Sequence, residues 1–193
     1  MALAQGITYL CEKPQRLLDA GCGHGMRAVE MQMKYFPQSV VIGCDYSEPM
    51  IANATLIMQN LPPDKRVRCE EANVYNLPYG DDTFDVVYCY GLLMSLEEIE
   101  LGLNELMRVS VNGLVAIEET PDVMDSIQFR YWSDYKEKRF PGRTFWHSYL
   151  KAFSKYGTTI FDRLSTEVWA PDEGSPENHR VAPAYARFIV TKS

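Results

Sequence analysis

The residues whose types and spacing carry the most chemistry are Asp19-Ala20-Gly21-Cys22-Gly23-His24-Gly25, a carboxylate followed by glycines at alternate positions. Glycine has no Cβ, so such a run lets the backbone take positive φ and come close to a ligand. Arg16-Leu17-Leu18 just before it reads as a buried strand, and the residues from His24 onward read as a helix. A strand that turns into a helix through glycines offers unpaired amide N–H groups and the positive end of the helix dipole. An anionic group is therefore expected at the turn. The dinucleotide pattern G-x-G-x-x-G would need its third glycine where Met26 stands, which disfavours a nicotinamide or flavin cofactor.

The elements that must position this turn follow from periodicity. Met26, Val29, Met33 and Phe36 recur at helical spacing and stop at Pro37. Ser39 to Asp45 is a near-continuous apolar run ending in a carboxylate, as expected of a parallel strand covered on both faces. Asp45 then sits at the carboxyl edge, where an acidic residue roughly 20 or more positions past a glycine turn accepts hydrogen bonds from a ribose. Ser47 supplies a cap, with Pro49 in the first turn, for a helix carrying Met50, Ala54, Met58 and Leu61. Val67 to Ala72 and Phe84 to Tyr90 read as further strands, joined through the polar turn Gly80-Asp81-Asp82. Ser95 and Glu98 form a capping-box pattern ahead of the stripe Leu96, Ile99, Leu103 and Leu106. Asn112-Gly113 turns the chain into a fifth strand, Leu114 to Thr120. Five strand-to-helix steps with right-handed crossovers predict an open α/β sheet, doubly wound, with ligands beyond the carboxyl ends of its strands.

The glycine turn, the acidic end of the second strand and the run from Asn73 through Leu77-Pro78 to the fourth strand resemble the class I S-adenosylmethionine-dependent methyltransferases, of the small-molecule, ubiquinone-biosynthesis-like type. The resemblance extends from Arg16 to Lys192. It implies a single Rossmann-like domain over residues 1–193, with a mostly parallel seven-stranded sheet whose last strand is antiparallel. Thr158 to Leu164 and Ala186 to Lys192 are its sixth and seventh strands. It also implies S-adenosyl-L-methionine as cofactor, S-adenosyl-L-homocysteine as product and no metal. Cofactor contacts carry over to Asp19, Gly21, Cys22, Gly23, Asp45, Tyr46, Met50, Asn73, Val74 and Cys89. Two departures stand out. Asn73 and Val74 occupy the adenine-binding Asp-Ala positions, where an amide can still both accept and donate. Met94 and Ser95 replace a His-His pair, so any base assigned to that pair in relatives is missing here.

Residues 121–157 and 165–185 leave the sheet at its ligand edge. The first segment carries Phe129, Tyr131, Trp132 and Tyr135, a composition suited either to a flap over an apolar acceptor or to an ordinary docking helix. Thr144 is expected to cap the helix that follows Pro141-Gly142, and the loop with Trp169, His179, Arg180 and Tyr185 is expected to lean toward the acceptor. The first strand comes after one short amphipathic stretch, Leu3 to Leu10. A lid over the acceptor must then come from elsewhere in the chain, from a second copy or from a partner chain, unless the chain is part of a longer one.

Composition narrows the partners. At 193 residues the chain suits one domain with a full core, and a net charge of −7 argues against broad attraction to nucleic acid phosphate. Cys11, Cys22, Cys44, Cys69 and Cys89 include no C-x-x-C pair, and an odd number of small buried residues points to reduced thiols in a cytoplasm-like compartment. Neither a signal peptide nor a membrane-length apolar run is present. Methyl transfer requires alignment and exclusion of water more than a fixed triad. A base for a hydroxyl acceptor would come from His147, His179 or Glu119, each of which also has an ordinary structural role open to it. The expected function is O- or N-methylation of a small molecule. A non-catalytic cofactor-binding subunit, and an RNA or protein methyltransferase, are the alternatives.

Overall fold

The apolar runs become strands because both of their faces are covered. In the computed structural model, which describes residues 1–120, 122, 137, 147–164 and 185–193, β1 (Arg16–Ala20), β2 (Val40–Asp45), β4 (Val86–Tyr90) and β5 (Gly113–Glu119) are buried along nearly their whole length. β3 (Arg68–Glu71) is polar and half-exposed, as suits an edge strand. These five run parallel; β7 (Tyr185–Thr191) is antiparallel to β5 and to the far edge strand β6 (Thr159–Arg163). The order across the sheet is β3-β2-β1-β4-β5-β7-β6. The expected seven-stranded, mostly parallel α/β sheet with an antiparallel last strand is what forms. After β1 the chain moves first toward β2 and later toward β4 on the opposite side, so the crevice beyond β1 and β4 is the topological switch point.

Strand alternation sorts the core into two layers. Leu18, Ala20, Val87, Cys89, Leu114 and Ala116 face α4 (Ile99–Arg108) and α5 (Tyr149–Phe153). Leu17, Val41, Val86, Tyr88, Val115 and Ile117 face the other way, toward α1 (Ala2–Leu10) and α2 (Met26–Glu30), which runs on into a wider π-turn at Met31–Tyr35. α1 sits so close that a Cβ on Gly6 would lie 2.6 Å from a methyl of Val115. Arg187 holds it there by donating to the Ala2 carbonyl and to Gln5. Among the described residues no helix is long and apolar enough to cross a membrane.

The helix starts differ from their expected chemistry. Ser47 stands at the N-cap of α3 (Glu48–Gln59), but its side chain makes no capping bond. The Ser95/Glu98 capping box does not form, because Leu93–Ser95 winds into a separate 3-10 turn and α4 begins only at Ile99. The N–H groups of Glu97 and Glu98 donate instead to the Tyr75 hydroxyl, at 3.0 and 3.3 Å. α5 is capped by Asp122, which accepts from the N–H groups of Tyr149 and Leu150 and from Ser148. The expected cap Thr144 and the aromatic segment with Trp132 lie outside the described residues.

Candidate functional site

The switch point is built on the glycine turn. Gly21, Gly23 and Gly25 all take positive φ, at +70°, +55° and +80°. The turn lies down on β2: the N–H groups of Gly21 and Cys22 both donate to the Cys44 carbonyl, at 2.8 and 2.9 Å. Gly43 makes this approach feasible, since a Cβ there would come within 2.9 Å of the Cys22 sulfur. Gly23 donates to Asp45 Oδ2 at 2.8 Å, and Gly25 donates to the Cys22 carbonyl at 3.0 Å. Four amides of the turn are thus spent within the protein. Among the described residues no backbone acceptor takes the N–H groups of His24 and Met26, at the start of the helix that follows.

Asp45 does double work. Its Oδ2 holds Gly23, while Oδ1 accepts from the Ser47 N–H at 2.9 Å. One carboxylate therefore ties the glycine turn to Ser47 at the start of α3. Each oxygen keeps a further lone pair with which to accept. Tyr46 and Met50 beside it are exposed by 74% and 43%, leaving apolar surface at the rim. Asn73 is exposed and folds its amide oxygen onto the Tyr75 N–H at 2.9 Å, while Val74 packs against the core beneath. This loop is pinned from below: Glu105 accepts from the Leu77 N–H, and Arg108 donates to the carbonyls of Leu77 and Tyr79.

Two carboxylates lie wholly inside the edge. Asp19 on β1 sits beside Tyr88 on β4, and its two oxygens and the Tyr88 hydroxyl have no hydrogen-bond partner among the described residues. Burial raises its pKa from 3.8 to about 7, with Arg27 pulling down and Asp45 pushing up. Glu118 on β5 is equally buried but well held, accepting from the N–H groups of Leu92, Leu93 and Met94 and from the Cys89 thiol. Burial still raises it to about 7 against those donors. Cys89 is fully buried under this contact, and burial pushes its thiol far up. The Cys22 thiol is also raised, through its hydrogen bond with Cys69 and through burial.

Glu118 and Arg27 are the residues missed from the sequence. Two adjacent glutamates at the end of a strand must point to opposite faces, and this was the available signal that one of Glu118 and Glu119 would be internal. Glu119 reaches the edge and accepts from the Tyr185 hydroxyl at 2.9 Å. The Tyr185 ring lies 5.7 Å from that of Tyr90, and the Arg27 guanidinium stands 4.5 Å above Tyr90. Glu119, Tyr185, Tyr90 and Arg27 therefore form one row along the carboxyl ends of the strands. His147 is elsewhere, with its Nε2 bonded to the Leu96 carbonyl at 2.8 Å; His179 lies outside the described residues.

Comparison with known proteins agrees with this geometry. Residues 18–117 match the methyltransferase domain family. An uncharacterized methyltransferase of Schizosaccharomyces pombe is 34% identical over 114 residues, covering 55% of this chain and 41% of that protein. The demethylmenaquinone methyltransferase of Deinococcus radiodurans is 32% identical over 121 residues, covering 61% of this chain and 48% of that protein. The chain spans about half the length, or less, of the curated relatives it matches. Among solved structures, the YcgJ protein of Bacillus subtilis superposes with a TM-score of 0.70 at 18% identity, covering 97% of this chain and 95% of that one. Magnesium protoporphyrin IX methyltransferase of Synechocystis, solved with bound S-adenosylhomocysteine, gives 0.65 at 19% identity, covering 99% and 82%. Those two likenesses are likenesses of fold.

Proposed function

The chain belongs to the methyltransferase domain family, and on that premise we propose that it binds S-adenosyl-L-methionine at the switch point and transfers the methyl group to a hydroxyl or amine of a small-molecule acceptor. The observation that carries this reading is the Gly23–Asp45 corner. A Cβ added at Gly23 would meet nothing within 4 Å, so the turn bounds open space that only a glycine leaves clear. Asp45 borders the same space with a carboxylate whose remaining lone pairs suit vicinal hydroxyls of a ribose. The exposed faces of Tyr46 and Met50 suit an adenine ring, with the free amide nitrogen of Asn73 at hand for its ring nitrogens.

When bound, the cofactor supplies an electrophilic methyl on a sulfonium that carries its own leaving group, S-adenosyl-L-homocysteine. The protein's part is to hold the nucleoside still, to admit a nucleophile in line and to keep water out. Gly23 and Asp45 do the first. At the other end of the row Glu119 is the carboxylate placed to take a proton from an acceptor hydroxyl, with the Tyr185 hydroxyl holding its orientation. His147 serves structure, since its Nε2 is committed to Leu96. Relatives named for methylating demethylmenaquinone and ajmaline support a small organic acceptor over a macromolecule.

Isothermal titration with S-adenosyl-L-methionine and S-adenosyl-L-homocysteine tests the binding half, and transfer of labelled methyl to a panel of phenols and amines tests the other. Absence of binding at millimolar ligand overturns the reading. Binding without turnover on any acceptor favours a non-catalytic subunit instead.

A further inference from the structure

Among the described residues Arg27, at the edge, makes no hydrogen bond or salt bridge to a carboxylate. It follows the glycine turn by two positions, in the first turn of α2, and is only partly exposed. Its guanidinium lies over the face of Tyr90, at 4.5 Å from the ring centre. Among the described residues no carboxylate or carbonyl accepts a hydrogen bond from it, which leaves all five of its N–H donors available. Its position above the carboxyl ends of β1 and β4 is marked by the groups that feel its charge: Asp19, Tyr88 and Cys89.

A solvated arginine on a free surface needs no explanation, but this one is held in place. The Tyr90 ring attracts the cation from one side, and the buried Asp19 carboxylate draws it inward without touching it. The planar fork of a guanidinium so oriented matches a carboxylate through two parallel hydrogen bonds. The turn spends the amides of Gly21, Cys22, Gly23 and Gly25 internally, so beside the N–H groups of His24 and Met26 the guanidinium is the charged donor that such a group would meet there. If an S-adenosyl nucleoside lies with its ribose at Asp45, its amino-acid tail runs along the glycine turn toward β1 and β4, where Arg27 stands.

We propose that Arg27 is the residue that reads the α-carboxylate of the cofactor's amino-acid tail, with the Tyr90 ring as the platform that presents it. This rests on the reading that the edge binds an S-adenosyl nucleoside, and the experiment separates the two. Affinities of the full chain are measured by isothermal titration for S-adenosyl-L-homocysteine and for its decarboxylated analogue, 5′-(3-aminopropylthio)-5′-deoxyadenosine. Wild type, Arg27→Gln and Arg27→Lys are compared, with thermal melts to verify that each folds.

Wild type is expected to prefer S-adenosyl-L-homocysteine by about tenfold or more. Arg27→Gln should erase that preference while leaving the affinity for the analogue within about twofold, and Arg27→Lys should keep part of it. A preference that survives in Arg27→Gln overturns the assignment, as does an equal loss for both ligands. If Arg27→Gln binds both ligands as wild type does but loses turnover of anionic acceptors, the guanidinium belongs to the acceptor and the assignment is likewise overturned. If wild type binds the analogue but shows no preference, the assignment fails while the nucleoside reading stands. If wild type binds neither ligand, both fail together.

Discussion

Replacing Asp19 by Asn should stabilise the ligand-free protein, and by an amount that depends on pH in a defined way. In the folded chain burial lifts the Asp19 carboxyl from 3.8 to about 7. The native state therefore holds this proton more tightly than the unfolded chain does. Between roughly pH 4 and pH 7 the native state binds more protons than the unfolded one, so stability falls as pH rises through that window. Each pH unit of the rise is worth about 1.4 kcal/mol, which puts the full penalty above pH 7 at about 4 kcal/mol as a ceiling. Asparagine has the shape of the protonated acid and cannot ionise, so it escapes the penalty at every pH.

The assay is urea unfolding of wild type and Asp19→Asn at pH 5.0, 6.0, 7.0 and 8.5, because every other titrating group cancels in the difference. At pH 5 about 1.5 kcal/mol of the penalty is already present, so the variant's advantage should widen by about 2–3 kcal/mol on going to pH 8.5 and then stay level. The new amide adds donors of its own in a site where the Tyr88 hydroxyl lacks a partner, which can offset the absolute values by about 1 kcal/mol without changing the slope. A difference that is flat across the range refutes the reasoning. A flat difference is what a native-state carboxylate kept ionised by Arg27 would give, since its pKa would then lie below the whole range tested.

Three other perturbations discriminate between parts of the site. Gly23→Ala and Gly25→Ala impose the same left-handed strain of about 1–2 kcal/mol, but a Cβ at Gly25 also meets the Cys69 sulfur at 2.6 Å and Met58 at 3.0 Å. Thermal melts should therefore show Gly25→Ala as the more destabilised variant, while titration should show Gly23→Ala, whose methyl points into open space, losing more affinity for S-adenosyl-L-homocysteine than its stability loss explains. Asp45→Ala should weaken that affinity and lower stability together, each by about 1–3 kcal/mol, since the Gly23 and Ser47 N–H groups lose their acceptor; unchanged affinity would remove Asp45 from the site. Glu118→Gln removes a buried charge as Asp19→Asn does, yet should destabilise by about 1–3 kcal/mol at pH 8, because if the amide oxygen keeps the Leu92 and Leu93 N–H groups the new NH₂ confronts the Met94 N–H; chemical denaturation that finds it neutral would refute that account.

What could be read from the residues was what repeats locally. Strands β1, β2, β4 and β5 announce themselves as apolar runs because both faces are covered, and the glycine turn because its positive φ values exclude most other residues. The sheet order follows from parallel crossovers that have one hand. What could not be read was set by partners distant in the chain. Tyr75 caps α4 from 22 and 23 positions away, and Asp122 caps α5 from 27. The pattern Ser95-x-x-Glu98 was a sound local signal, overridden because Glu118 draws the Leu92–Met94 amides into a turn of their own. Asp45 was legible as an edge carboxylate but not as the clamp on Gly23, a contact that exists only once β2 lies beside β1.

These long-range contacts form a single chain of support beneath the candidate cofactor. Asp45 at the end of β2 and Glu118 at the end of β5 are the same device, a strand-end carboxylate that collects N–H groups from a loop at the edge. The two loops they collect flank the switch point on either side, and they touch: a Cβ on Gly21 would lie 3.0 Å from the Leu92 side chain. The glycine turn is thus held from β2 by Asp45 and braced across β1 by a loop that Glu118 fixes from β5. Only a residue without a side chain at position 21 lets the Leu92 side chain lie this close to the turn. A loosened Leu92 loop in Glu118→Gln should therefore be felt at Gly21, and the affinity for S-adenosyl-L-homocysteine should fall even though Glu118 itself is sealed from the ligand by the backbone it holds.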